Sequence, residues 1–149
     1  MKKFRFRLQA LLNYEDFRLQ QAQSEVAAAR RAVNTCENKI ASMQSQLNHS
    51  HEAMSSEIRK GMDSNRFLNI KAFQTALAHQ ADTEENRRGQ LEKDCRGKEK
   101  QLRRQSVKKK ALENYKDRKQ QDYHDKINRK IEKTNEEMVL LREVRKRPL

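Results

Sequence analysis

Leu12, Leu19, Val26, Val33, Ile40, Leu47 and Met54 recur at every seventh residue, with no Pro or Gly among them. A companion row of Leu8, Ala22, Ala29, Cys36 and Met43 lies three or four residues away, interrupted by Glu15 and Ser50. Apolar positions at alternating steps of four and three draw one narrow stripe along a slightly under-wound helix. Such a stripe is too thin for a globular core and suits the seating of one other helix. The pattern therefore predicts a coiled-coil element with a mechanical or adhesive function.

Turn residues cluster once. A first helix is expected from about Phe4 to about Lys60, with Gly61 as a left-handed stop and Lys60 at the negative end of the helix dipole. Asp63, Ser64 and Asn65 can cap a second helix, expected from near Arg66 to about Lys146, with Pro148 marking its end. One break, over residues 61–65, between two long helices predicts an all-α fold. The expected form is an antiparallel two-helix coiled coil built from the whole chain, 1–149.

The second stripe is weaker. Phe67, Ile70, Phe73, Leu77, Leu91, Cys95, Leu102 and Leu112 supply it, while Glu84, Arg88, Lys98, Gln105 and Lys109 occupy seam positions. Gly89 and Gly97 each cost about 1 kcal/mol relative to Ala in a helix, and they would let the two backbones approach closely. With the turn centred on Met62 and Asp63, residue i faces a residue near 125 minus i, so Phe4 lies opposite about Gln121. At 1.5 Å per residue the second helix, roughly 120 Å, outruns the first, roughly 85 Å. Yet Tyr123, Ile127, Ile131, Thr134, Met138 and Leu141 keep an apolar face beyond that point. This overhang is the expected docking surface, together with Phe4, Phe6, Leu8, Leu11 and Leu12 at the N-terminus.

Composition supports the helical reading. The chain is 34% hydrophobic and 37% charged with three Gly, one Pro and no Trp, as expected of long helices. Low hydrophobicity and a net charge of +13 also suit disorder, which the sustained seven-residue register opposes. From Arg96 to Lys119 eleven Lys or Arg face only Glu99, Glu113 and Asp117. That excess suits either a solvated helix face or a surface for an acidic protein, anionic lipid or nucleic acid. Nucleic acid is not expected, because the cations spread around the helix and no recognised binding module is present.

Little here suggests chemistry. Cys36 and Cys95 fit neither a disulfide framework nor a zinc pattern and suit buried seam positions. His49 and His51 point to different sides of a helix, and His79 and His124 are remote. The sequence shows no phosphate loop, no nucleophile elbow and no paired carboxylates in a preformed cleft, so no catalytic residue, metal or cofactor is expected. No apolar run has the roughly 18 residues needed to cross a bilayer, and no apolar segment follows the basic Lys2–Arg7 stretch. The expected location is the cytoplasm. Just past the turn, Phe73, Leu77, Gln80 and Glu84 fall at i, i+4, i+7 and i+11 on one helix face. Phe73 and Leu77 suit packing against Ser50, Met54 or Ile58, and equally suit an outward contact site.

The opening FRFRLQALLNYEDFRLQQAQ, the tip segment SNRFLNIKAFQTAL and the basic Lys108–Lys119 stretch before a Tyr-bearing helix resemble the FliJ family of flagellar type III export proteins. The resemblance covers essentially the full chain. It implies an antiparallel two-helix stalk similar to the gamma subunit of rotary ATP synthases. In that family the paired helix termini insert in the hexameric export ATPase, FliI, and promote its assembly and activity. The turn end contacts the cytoplasmic domain of the export gate protein FlhA, and export chaperones are escorted. The implied location is peripheral, at the cytoplasmic face of the cell membrane. By position Phe73 and Leu77 match two members of the gate-contact face. Gln80 and Glu84 stand where the family has a small residue and a histidine. The ATPase-facing set would be Phe4, Phe6, Leu8, Leu11, Leu12, Tyr123, Ile127, Ile131, Met138 and Leu141, with Lys126, Arg129, Lys130 and Lys133 meeting acidic ring residues. Three alternatives stay open on the residues: the equivalent stalk of a virulence injectisome, a basic nucleic-acid or ribosome-associated helical protein, and a homodimeric coiled coil.

Overall fold

The computed structural model describes residues 2–147, which form two helices, α1 (Gln9–Lys60) and α2 (Ser64–Lys146), and no strand. Pro148, expected to mark the helix end, lies outside the described residues. The fold is the all-α helical hairpin that the stripes predict. Its contacts group into two units, one running from Gln20 to Arg103 and the other joining the residues up to Leu19 with those from Arg104 onward.

The Gln20–Arg103 unit contains the turn. Gly61 adopts φ 92°, a left-handed backbone that strains any residue with a Cβ, and its N–H donates to the Ile58 carbonyl at 3.2 Å. The Asp63 carbonyl accepts the Phe67 N–H at 3.0 Å, so Asp63 caps α2. Ser64 and Asn65 enter the helix instead of capping it, which shortens the expected turn to residues 61–63. Arg66 grips Glu57 through two nitrogens at 2.6 and 2.7 Å beside the turn. The pair is exposed, so water screens it and it adds little to stability.

In the same unit Val26, Ala29, Cys36, Ile40 and Met54 of α1 are buried with Leu77 and Cys95 of α2. The seam of α2 runs Phe67, Ile70, Gln74, Leu77, Ala81, Glu84, Arg88, Leu91, Cys95, Lys98 and Leu102, in strict steps of three and four. Phe73 is therefore not a seam residue; Gln74 is, and Phe73 is 52% exposed. Alternation carried on from Phe67 and Ile70 selects Gln74, although hydrophobicity alone favours its neighbour. Polar seam residues find partners across the interface. Gln74 Nε2 donates to Ser50 Oγ at 3.1 Å and the Cys36 thiol donates to the Glu84 carbonyl at 3.3 Å, while beside the seam the exposed Arg30 meets Glu99 at 3.0 Å. The buried Gln74 Oε1 alone lacks a partner among the described residues, which costs about 1–3 kcal/mol. The glycines do not mark close approaches. A Cβ at Gly89 or Gly97 would meet nothing within 4 Å, so no facing backbone lies against either.

The other unit brings the N-terminal segment against α2. Helix α1 starts at Gln9, five residues later than the expected Phe4. Phe4 and Phe6 alternate with Lys3, Arg5 and Arg7, a period of two that suits extended chain more than helix. The Phe4 ring rests 5.6 Å from Tyr123, and the Phe6 ring 6.0 Å from Tyr115. The Tyr123 hydroxyl donates to the Lys2 carbonyl and pins the segment. Further along, Lys116 donates to Gln9 at 2.9 Å, and Lys109 pairs with Asp16 at 2.6 Å. Asp16 beside Lys109 raises that ammonium above the ordinary lysine range. The buried Gln105 donates to the Glu15 carboxylate and carbonyl. Lys2 with Tyr123, Gln9 with Lys116 and Asp16 with Lys109 each add to 125 in residue number, the expected register.

Every described residue from Ile131 onward is exposed. Truncation after Tyr123 is therefore expected to shift unfolding free energy by no more than about 1 kcal/mol in a urea titration followed by circular dichroism. Collapse of the whole transition on truncation would show that the register is wrong.

Candidate functional site

Residues beyond Tyr123 keep a seam without a partner helix. Tyr123 and Ile127 are half-buried, and with Ile131, Lys130, Thr134, Asn135 and Lys2 they line a cleft of about 590 Å³. Ile131, Met138 and Leu141 are 43%, 49% and 61% exposed. The helix continues because Ala-poor but Lys-, Arg- and Glu-rich sequence still favours it, not because anything packs there. Val139, Leu140 and Val144 are exposed as well and were not among the expected site residues. The Met-Val-Leu-Leu run was the available signal. Leu140 and Val144, four apart, share a face beside the one formed by Met138 and Leu141.

The N-terminal members divide. Leu12 is buried in the seam, so it supports the pairing of helices and presents no contact surface. Leu8 and Leu11 are exposed, while Phe4 and Phe6 are half-buried against the tyrosines. Lys126, Arg129, Lys130 and Lys133 are all exposed along the overhang.

Near the turn, Ile58, Met62, Ser64, Phe67 and Leu68 surround an apolar cleft of about 460 Å³. Phe73 and Gln80, seven apart, share an outward position. Leu77 and Glu84, also seven apart, share the seam, where Glu84 accepts the Cys36 thiol at 3.4 Å. The four residues expected on one contact face are thus split between surface and interface. Leu77→Ala should destabilise the hairpin by about 2–3 kcal/mol in urea unfolding, because it empties a buried seam position. Phe73→Ala should stay within about 0.5 kcal/mol. Equal losses for the two would contradict this division.

Burial pushes the Cys36 thiol above its ordinary range, and the Glu84 carboxylate acts in the same direction, so the thiolate nucleophile is suppressed. No group of three His, Cys, Asp or Glu able to hold a metal occurs among the described residues. No helix among them is long and apolar enough to cross a membrane. What the site offers is an unpartnered apolar stripe flanked by cations.

The family model described as Flagellar FliJ protein matches residues 4–148, a span that takes in both helices, the turn and the N-terminal aromatic segment. The chain belongs to the FliJ family. FliJ proteins are, at the level of the family, flagellar-type export stalks with a structural or regulatory role. Their association with export-apparatus components accords with a hairpin that leaves part of one helix uncovered. Among curated proteins and among solved structures no match to this FliJ chain was found.

Proposed function

We propose that the chain is the stalk of the flagellar export ATPase. The overhang of α2 and the N-terminal segment enter the hexameric, FliI-like ring and promote its assembly and ATP hydrolysis. The turn region, with Phe73 outward, engages the cytoplasmic domain of an FlhA-like export gate at the cytoplasmic face of the membrane. Export chaperones are a further cargo of the same stalk, and flagellar motility depends on it.

One observation carries this reading: the apolar stripe persists past Tyr123, which holds the N-terminal segment, with Ile131, Met138 and Leu141 exposed. A passive helix changes an enzyme's rate by binding some ring conformations more tightly than others, and its influence equals that difference in affinity. Apolar anchors supply the affinity, while the flanking Lys126, Arg129, Lys130 and Lys133 speed and orient the encounter with an acidic surface.

The deciding measurement is ATP hydrolysis by the cognate export ATPase with and without the chain. An unchanged rate across a concentration series would remove the ATPase half of the reading. Phe73→Ala should weaken binding to the gate's cytoplasmic domain by about tenfold, the effect of losing one aromatic anchor, while ATPase stimulation persists.

A further inference from the structure

The non-helical N-terminal segment and α2 enclose a second cleft, of about 1170 Å³, lined by Lys2–Arg7 together with Tyr115, Lys119, Tyr123 and Lys126. Every lining side chain is cationic or aromatic: six Lys or Arg and four rings, with no carboxylate. None of the six cations has an ion-pair partner among the described residues, although Lys109, on the same helix, pairs with both Asp16 and Glu113. Lys119 lies over the Tyr115 ring at 5.3 Å, which places an ammonium at the cleft wall. The rings hold the segment in place, and Arg5 and Arg7 line the same cleft as Lys119 and Lys126.

Six like charges around one concavity repel each other, and a solvated helix face would spread them apart. A compact anion with several negative charges relieves that repulsion better than a single carboxylate does. Arginine forks match phosphate oxygens two at a time, and the lysines add mobile point charges. We propose that this cleft is a polyphosphate-binding site, taking a di- or triphosphate group either free in solution or displayed as clustered lipid phosphates. The cleft shares Phe4, Phe6, Tyr123 and Lys126 with the face given to the ATPase ring, but the proposal rests on the cleft's own charges and does not require that reading.

The test uses the full chain and inorganic tripolyphosphate. The chain has no Trp and three Tyr, two of which line the cleft, so tyrosine emission reports occupancy and calorimetry gives the affinity. Arg5→Gln with Arg7→Gln, and separately Lys119→Gln with Lys126→Gln, should each weaken binding at least about tenfold, given what a charge-assisted contact contributes. Lys108→Gln with Lys110→Gln removes the same charge from exposed positions outside the cleft and should change binding less than about twofold. Circular dichroism confirms helix content for each variant. Vesicles of neutral lipid with and without one-fifth phosphatidylglycerol form a second arm. Binding of vesicles without tripolyphosphate, lost in the same two pairs, assigns the phosphate to lipid; binding of tripolyphosphate assigns it to a soluble ligand. Equal losses in the control pair, equal affinity for an oligoglutamate peptide, or no binding in either arm overturns the proposal.

Discussion

Ile40→Asp is expected to abolish the cooperative unfolding transition of the Gln20–Arg103 unit or to lower its midpoint by about 10 °C or more. Ile40 is 4% exposed and belongs to a seam only one side chain deep. A buried carboxylate with no cation assigned to it costs several kcal/mol, and a single-layer interface has no second shell to absorb the change. The whole unit draws its stability from few positions of this kind: Val26, Ala29, Cys36, Met54, Leu77 and Cys95 are the other buried hydrophobic residues between Gln20 and Arg103. Ile131→Asp provides the contrast. Ile131 is 43% exposed and touches no facing helix, so the same chemical change there should leave the melting midpoint within about 2 °C. A thermal scan of both variants by circular dichroism decides the matter, and an unaltered midpoint for Ile40→Asp would place that residue outside the seam.

Simultaneous replacement of Tyr123, Ile127, Ile131, Met138 and Leu141 by Ser is expected to reduce stimulation of the export ATPase to the unstimulated rate. Three of these side chains are exposed and two are half-buried, so most of the change falls on exposed surface among the described residues. Each anchor of a binding interface contributes about 1–2 kcal/mol when truncated, and five together exceed what a moderate affinity can lose. Tyr123 also holds Phe4 and the Lys2 carbonyl, so its replacement loosens the N-terminal segment as well. A four-residue variant that keeps Tyr123 separates the two effects. It should lose most stimulation while retaining Tyr123 packing, and stimulation that survives both variants would refute the role given to the overhang.

Much of the architecture was legible because a heptad pattern encodes it locally. Apolar spacing named the α1 seam from Leu12 to Met54, though it also took in the exposed Leu8, and included the interruptions at Glu15 and Ser50, where Gln105 and Gln74 supply polar partners instead. The Gly61 break fixed the register so closely that three pairs in one unit add to its predicted value. Less visible were the points where two readings had equal spacing. Single steps of three or four admit both Phe73 and Gln74, hydrophobicity favours Phe73, and strict alternation favours Gln74, which the structure seats against Ser50 and Met54. The same choice split the expected gate face, turning Phe73 and Gln80 outward and Leu77 and Glu84 inward. At the N-terminus the alternation of Phe with Lys and Arg signalled extended chain, but a long helix on its downstream side masked a period of two over so few residues.

By itself, then, the sequence determined helix number, the break, the direction of pairing and which stretch of α2 outlasts its partner, since all of these follow from periodicity and length. Only the tertiary structure decided which side chain of two neighbours enters the seam, that Leu12 supports the fold while Leu8 and Leu11 stay exposed, and that the first residues lie outside α1 against Tyr115 and Tyr123. Those outcomes depend on contacts between residues more than a hundred positions apart, such as Lys2 with Tyr123, and no local pattern carries the shape complementarity that selects them.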